Sequence, residues 1–214
     1  MKTGILFDLD GTLLNTLEDL TDATNYALAA FGHPPRTLGE VRRFVGNGAE
    51  NQIRLSVPDD HKADLQKVLA VYKPYYTDHC RIKTRPYEGV LDALKALGEN
   101  HPIAIVSNKP DAAVKALCAD YFPGIYALGE AAGCPRKPAA DMVYKAMKAI
   151  GVERCIYVGD SEVDVLTAKN AGVPCVCVLW GFRDREDTEA VGGSIYCEKT
   201  ENLVNVIEEA IHGQ

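Results

Sequence analysis

Apolar and polar positions along this chain change period twice, and the changes divide it. Gly4-Ile5-Leu6-Phe7 is a continuous apolar run that leads into Asp8-Leu9-Asp10-Gly11-Thr12. Too hydrophobic to face water, the run reads as a buried strand that ends in two carboxylates and a glycine turn. Over 16–31 the apolar residues Leu17, Leu20, Ala23, Ala27, Leu28 and Phe31 recur at helical spacing, and Gly32 before Pro34-Pro35 ends the element. Helices are predicted again over 37–45 and 49–56, flanking the turn Gly46-Asn47-Gly48, and over 61–76, where Leu65, Val68, Leu69 and Tyr72 keep the period. No strand pattern intervenes between Leu14 and Tyr87.

From Pro86-Tyr87-Glu88-Gly89 onward, helical segments (90–97, 111–119, 140–150 and 164–170) alternate with short apolar runs at 103–107, 125–128, 155–159 and 174–179. Buried strands separated by helices imply right-handed crossovers and a parallel sheet covered on both faces. The expected class is α/β, a Rossmann-like core formed by 1–14 and 86–214 with a helical unit, 15–85, inserted after the first strand. Ligands of such sheets bind beyond the carboxyl ends of the strands, which is where chemistry is to be sought.

Composition narrows the picture. With 214 residues, 47% hydrophobic and 25% charged, the chain can bury a substantial core, and no low-complexity tract or repeat stands out. A formal charge of −7 argues against a nucleic-acid or anionic-membrane partner, because long-range fields oppose a polyanion. Neither a leader pattern nor a segment of membrane-spanning length is evident, so a cytoplasmic location is expected. The seven cysteines form no CxxC pair and read as reduced thiols, with Cys155, Cys175 and Cys177 acting as small hydrophobes in strand-like runs. The sequence does not distinguish a monomer from a homodimer.

Asp8 finishes the first strand, and Asp10, past its end, can be turned toward the same space by Gly11. Two carboxylates about 4 Å apart repel by roughly 4 kcal/mol at an effective dielectric of about 20, so a shared site calls for a cation, a proton or a reaction. Asp-Gly is also ordinary turn chemistry, and the segment alone leaves both readings open. The other strand ends decide between them. They carry Ser107-Asn108, then Gly159-Asp160-Ser161 with Asp164, while Lys137 lies in the loop Pro135-Arg136-Lys137-Pro138, where Pro138 suits the first position of a helix. Acids, a hydroxyl, an amide and a cation therefore converge.

These residues resemble, in order, the four motifs of the haloacid dehalogenase-like (HAD) superfamily: Asp8-Leu9-Asp10-Gly11-Thr12, Ile105-Val106-Ser107-Asn108, Arg136-Lys137-Pro138, and Gly159-Asp160-Ser161-Glu162-Val163-Asp164. The resemblance covers the chain, and the helical insert is similar to the family's mobile cap. It implies a Mg²⁺-dependent phosphatase of a small phosphate ester in which Asp8 is the nucleophile and Asp10 the general acid and base. Mg²⁺ would be held by Asp8, Asp160 and the Asp10 backbone carbonyl, with Asp164 behind them. Ser107, the Asn108 amide and Lys137 would hold the phosphoryl group. Dehalogenases of the superfamily lack the acid at the position of Asp10, and phosphomutases usually lack the threonine at that of Thr12. Both features favour hydrolysis.

The segment Phe44-Val45-Gly46-Asn47-Gly48-Ala49 further resembles the phosphoglycolate phosphatase branch, which makes 2-phosphoglycolate the leading substrate. Gly46 and Asn47 would read the leaving group, with Arg43 or Arg54 as a carboxylate partner. The resemblance has one departure: Ala139-Ala140 replaces the acid and second proline common in that branch. Pyrophosphate, sugar phosphates and nucleotides therefore remain alternative substrates, with a phosphomutase or a non-catalytic phosphate sensor as more distant readings.

Overall fold

The computed structural model describes residues 2–213. Six parallel strands form the central sheet in the order β5-β4-β1-β6-β7-β8: β1 is Gly4–Phe7, β4 Ile103–Pro110, β5 Tyr126–Glu130, β6 Cys155–Gly159, β7 Cys175–Val178 and β8 Ile195–Cys197. β1 lies at the centre, with Ile5 opposite Ile103 on one side and Ile156 on the other. Alternation along the strands sorts side chains between two cores. Ile5, Phe7, Ile105, Ile156 and Val158 pack on one face, and Leu6, Ala104, Val106, Cys155 and Tyr157 on the other. Such side chains are worth about 1.5–3 kcal/mol each when fully buried, so register is strongly fixed at the sheet centre.

The helices α5 (Val90–Gly98), α6 (Asp111–Tyr121), α7 (Asp141–Ile150), α8 (Glu162–Ala171), α9 (Arg185–Glu189) and α10 (Leu203–His212) occupy the connections and the C-terminal segment. Between the first two sheet strands in sequence lie α1 (Leu17–Ala29), α2 (Leu38–Phe44), α3 (Gly48–Ser56) and α4 (Leu65–His79). These four pack on one another through Leu20, Ala23, Ile53, Val68 and Tyr72, which belong to the same buried cluster as one face of the sheet. Where the insert leaves and rejoins the chain, β2 (Leu14–Asn15) and β3 (Arg85–Pro86) form an antiparallel ribbon. Asp19 reinforces the return, accepting hydrogen bonds from the backbone N–H groups of Lys83 and Thr84 at 2.9–3.0 Å.

The α/β reading of the sequence holds, with local corrections. Two-residue strands carry too little pattern to be read from sequence, so β2 and β3 escaped it. A 3₁₀ turn, Asp59–Asp64, precedes α4 where one continuous helix was expected. Pro138 is not the first residue of α7, which begins three residues later at Asp141, and the intervening turn is closed by Ala139 N–H donating to the Arg136 carbonyl at 3.0 Å. α8 begins at Glu162, which places Asp164 in its first turn. The sequence reading also assigned no element beyond 179. β8 is too short to announce itself, although Leu203, Ile207 and Ile211 of α10 do recur at helical spacing. Among the described residues no helix is long and apolar enough to cross a membrane, and all seven cysteines are free.

Candidate active site

The carboxyl ends of β1, β4 and β6 face the insert across a cavity of about 550 Å³, counting the space by which it opens to solvent. Asp8 directly follows β1, and its backbone N–H bonds to the Val158 carbonyl of the neighbouring strand at 2.8 Å, so the sheet itself aims this carboxylate. Gly11 turns the chain with φ +85°, in the left-handed region that glycine tolerates. A Cβ there would stand 2.3 Å from Asp160 Oδ2, so the turn also makes room for the third acid.

Asp8, Asp160 and Asp164 are buried, and one carboxylate oxygen from each falls within 4.8 Å of the others. Their oxygens are unequally occupied. Asp164 is saturated: Oδ1 accepts from Lys137 at 2.8 Å and from the Tyr157 hydroxyl at 3.3 Å, while Oδ2 accepts from Ser161 N–H at 3.1 Å and Oγ at 2.6 Å. The bond from Ser161 N–H is half of a capping box at the start of α8, completed by Asp164 N–H donating to Ser161 Oγ, so one residue both fixes the helix end and holds Lys137. Asp160 Oδ2 accepts from Phe182 N–H at 2.6 Å and Oδ1 from Thr12 Oγ1 at 3.3 Å. Among the described residues Asp8 has a single close partner, Lys137 Nζ, at 2.7 Å.

Charge is out of balance. Lys137 pairs with Asp8 and Asp164 and donates to the Tyr157 hydroxyl at 3.0 Å, so one ammonium serves a cluster of three buried carboxylates. Burial, aided by the charges of Asp164, Asp160 and Asp10, pushes the Asp8 carboxyl well above the usual range despite Lys137. Burial and then Asp164 push Asp160 up to about 7. Burial opposes the charge of Lys137, but Asp164 and Asp8 outweigh it and hold the ammonium well above the ordinary lysine value. A further cation among these acids would relieve the repulsion, and an all-oxygen donor set of this kind suits a hard divalent ion.

Asp10 faces the insert side of the cavity. Its Oδ1 accepts from Thr16 Oγ1 at 2.6 Å and pairs with Lys109 Nζ at 2.9 Å. Lys109, with only 2% of its side chain exposed, also donates to the Tyr76 hydroxyl of α4. Sequence reasoning missed Lys109 because most lysines are solvated and the strand was read as ending at Ser107. β4 in fact continues to Pro110, and the place of Lys109 two residues beyond Ser107 was the available signal.

Ser107 Oγ accepts from Lys109 N–H at 3.2 Å, which leaves its own proton free to be donated. The Asn108 side chain is already spent. Its Nδ2 donates to the Lys137 carbonyl at 2.9 Å and the Gly46 carbonyl at 3.1 Å, and its Oδ1 accepts from Lys137 N–H at 2.8 Å. The amide locks the lysine loop to β4 and ties both to the insert, so only its backbone N–H can face a ligand.

On the insert wall, Val45, Gly46, Gly48, Ala49, Gln52, Tyr72 and Tyr76 line the cavity. Gly48, at φ +80°, lets α3 begin close to the sheet, where a Cβ would stand 3.0 Å from Arg136 Nη1. Of the residues expected to read a leaving group, Gly46 lines the cavity, but Asn47, Arg43 and Arg54 do not. Arg43 and Arg54 are exposed, and Arg54 donates to Asn51 at 2.7 Å. Arg183, unanticipated, also lines the cavity. It donates to the carbonyls of Arg42, Arg43 and Val45 at 2.7, 3.2 and 2.6 Å and to Glu162 at 2.9 Å, joining the end of α2 to the start of α8. Trp180 donates to the Thr12 carbonyl at 3.0 Å and packs near Tyr87, so it supports the turn that carries Asp10 as well as the core.

Known proteins resemble the chain. A family model described as haloacid dehalogenase-like hydrolase matches residues 5–178. Phosphoglycolate phosphatase 1 of Pseudomonas aeruginosa is 32% identical over 218 residues, spanning 96% of this chain and 80% of that protein. The phosphoglycolate phosphatase of Mesorhizobium japonicum is 34% identical over 197 residues, 86% of each. A crystal structure from Lactobacillus delbrueckii subsp. bulgaricus, provisionally named a phosphoglycolate phosphatase, matches with a TM-score of 0.90 at 37% identity over 97% of this chain and 99% of that one.

Proposed function

The chain belongs to the haloacid dehalogenase-like hydrolases, and on that footing we propose that this phosphatase hydrolyses a small phosphomonoester, foremost 2-phosphoglycolate, through an aspartyl-phosphate on Asp8. The observation that carries the reading is the uneven occupancy of the acids. Asp164 is saturated and Asp160 firmly held, whereas Asp8 keeps an oxygen without a close partner beside the cavity.

A carboxylate so placed attacks phosphorus as the ester oxygen leaves, and Asp10, on the cavity's other side, gives that oxygen a proton. Asp10 then takes a proton from the water that attacks the acyl phosphate, which releases phosphate and restores Asp8. The free hydroxyl proton of Ser107 and the ammonium of Lys137 stabilise negative charge on the phosphoryl oxygens. Asp8, Asp160 and the Asp10 carbonyl would hold Mg²⁺, which when bound offsets charge on the phosphoryl group and between the acids. We assign residues 15–85 as a cap that closes over the core about the β2–β3 ribbon, with Gly46 at its edge.

The test is phosphate release from 2-phosphoglycolate, pyrophosphate, sugar phosphates and nucleotides, each with Mg²⁺ and with EDTA. The expected result is metal-dependent turnover with kcat/KM for 2-phosphoglycolate at least about a hundredfold above the others, a discrimination of roughly 2.7 kcal/mol. A different winner would replace the substrate and keep the chemistry. Turnover undiminished by EDTA would remove the metal.

A further inference from the structure

Three cationic side chains line the cavity, and they differ in burial and in the donors they have to spare. Lys137 spends its three N–H groups on Asp8, Tyr157 and Asp164. Arg183 gives four of its five N–H groups to three backbone carbonyls and Glu162, which fix it in the joint between α2 and α8, and its side chain is more exposed than that of Lys109. Lys109 differs. Of its three donors, one faces Asp10 and one Tyr76, and the third has no partner among the described residues although the side chain is almost wholly buried. A buried charged donor without a partner is costly, so its presence at a cavity wall points to a ligand acceptor.

We propose that Lys109 is the specificity residue of this site and binds a carboxylate on the leaving group, one methylene removed from the ester oxygen. The inference rests on the phosphatase reading above and gives it a recognition element. Position sets the ligand. Asp10, which would protonate the leaving oxygen, lies 2.9 Å from Lys109 Nζ. A general acid works at about 2.6–3.2 Å, and with the proton on the other Asp10 oxygen the leaving oxygen falls within about 8 Å of the ammonium, a range that includes the span of a two-carbon acid. The neighbouring wall resists larger groups. Tyr72 and Gln52 are committed to one another and to Thr24, at 3.5 and 2.9 Å, while Leu20 and Ala49 offer only apolar surface. Arg43 and Arg54, the carboxylate partners expected from sequence, are outside the cavity. Tyr76 holds the lysine from the insert, so the carboxylate would be read where insert and sheet meet.

The experiment compares three near-isosteric esters, 2-phosphoglycolate, ethyl phosphate and 2-aminoethyl phosphate, in the wild type, Lys109→Met and Lys109→Arg. The wild type should rank them carboxylate, methyl, ammonium, with about 10–100-fold in kcat/KM between the first two. In K109M every rate falls because Asp10 loses a partner, so the ratio is the readout. It should collapse to within about threefold, largely through KM, and K109R should keep a carboxylate preference. A ratio retained in K109M overturns the proposal and places the carboxylate partner elsewhere. Should K109M fail to fold, the wild-type series still decides, since equal rates for the three esters, or a preference for the ammonium, overturn it and leave the phosphatase reading intact. No phosphate from any of them, nor from p-nitrophenyl phosphate, overturns that reading and this one with it.

Discussion

The two walls of the cavity are built differently. On the sheet side, charged groups are nearly all buried and immobilised by short strands, a capping box and a saturated lysine. The insert wall offers neutral groups: glycine backbone, aliphatic side chains, and two tyrosines whose hydroxyls bond to other side chains. Packing and hydrogen bonds hold the first constellation rigidly at an electrostatic cost, as preorganised chemistry requires. The second is less costly to vary, because apart from Tyr76 and the carbonyls that hold Arg183 no buried charge depends on it. The proposed reading therefore assigns chemistry to the sheet, and selection to the insert and to Lys109 and Arg183, which bridge the two.

The sharpest way to break that division is Asp8→Asn. If the sheet side alone performs the chemistry, turnover should fall by at least about a thousandfold on every substrate, with circular dichroism unchanged. Because burial already disfavours the Asp8 carboxylate, the metal-free variant should melt no lower than the wild type. Substantial residual turnover would remove the covalent mechanism.

The electrostatic cost of the sheet wall should appear as a pH dependence. The Asp160 carboxyl sits at about 7 in the folded protein against 3.8 for an unperturbed group. Between those values the folded state keeps a proton that the unfolded chain has released, so stability falls as pH rises through the window and the loss is complete above the folded value. In EDTA the Tm should therefore be lower at about pH 7.5 than at about pH 5.5, and Mg²⁺ should restore it at the higher pH. Asp160→Asn should flatten the trend. A metal-free Tm that rises across this window would contradict the balance described here.

Arg183→Met probes the joint between the walls. Losing the guanidinium leaves three carbonyls at the end of α2 without their donor, but the chemical groups keep their partners. KM should rise about tenfold with kcat changed by less than about threefold, and the amides of residues 42–46 should exchange faster with solvent. An equal loss in kcat would make Arg183 part of the chemistry.

How far the sequence was legible follows from the same contrast. Ile5, Leu6 and Phe7 are apolar without interruption, and only a strand buried on both faces uses such a run, so the central strand, the parallel sheet and the acids at its end were legible from residue order. The same holds for α1, whose period is carried by Leu17, Leu20, Ala27 and Leu28. The ribbon β2–β3 and the strand β8 were not, because two or three residues hold no periodicity.

The candidate site divides likewise. Asp8 and Asp160, each directly after a strand, Ser107 near the end of its apolar run and Lys137 in its proline loop were singled out by rules that act over a few residues of chain. That Lys137 is shared between Asp8 and Asp164, that the Asn108 side chain is consumed in a joint, and that Lys109 lines the cavity while Arg43 and Arg54 do not were decided only by tertiary structure. These are questions of which donor meets which acceptor across 27 to 129 positions of chain, and no periodicity or spacing encodes the pairing of groups brought together by the packing of a whole sheet against an insert.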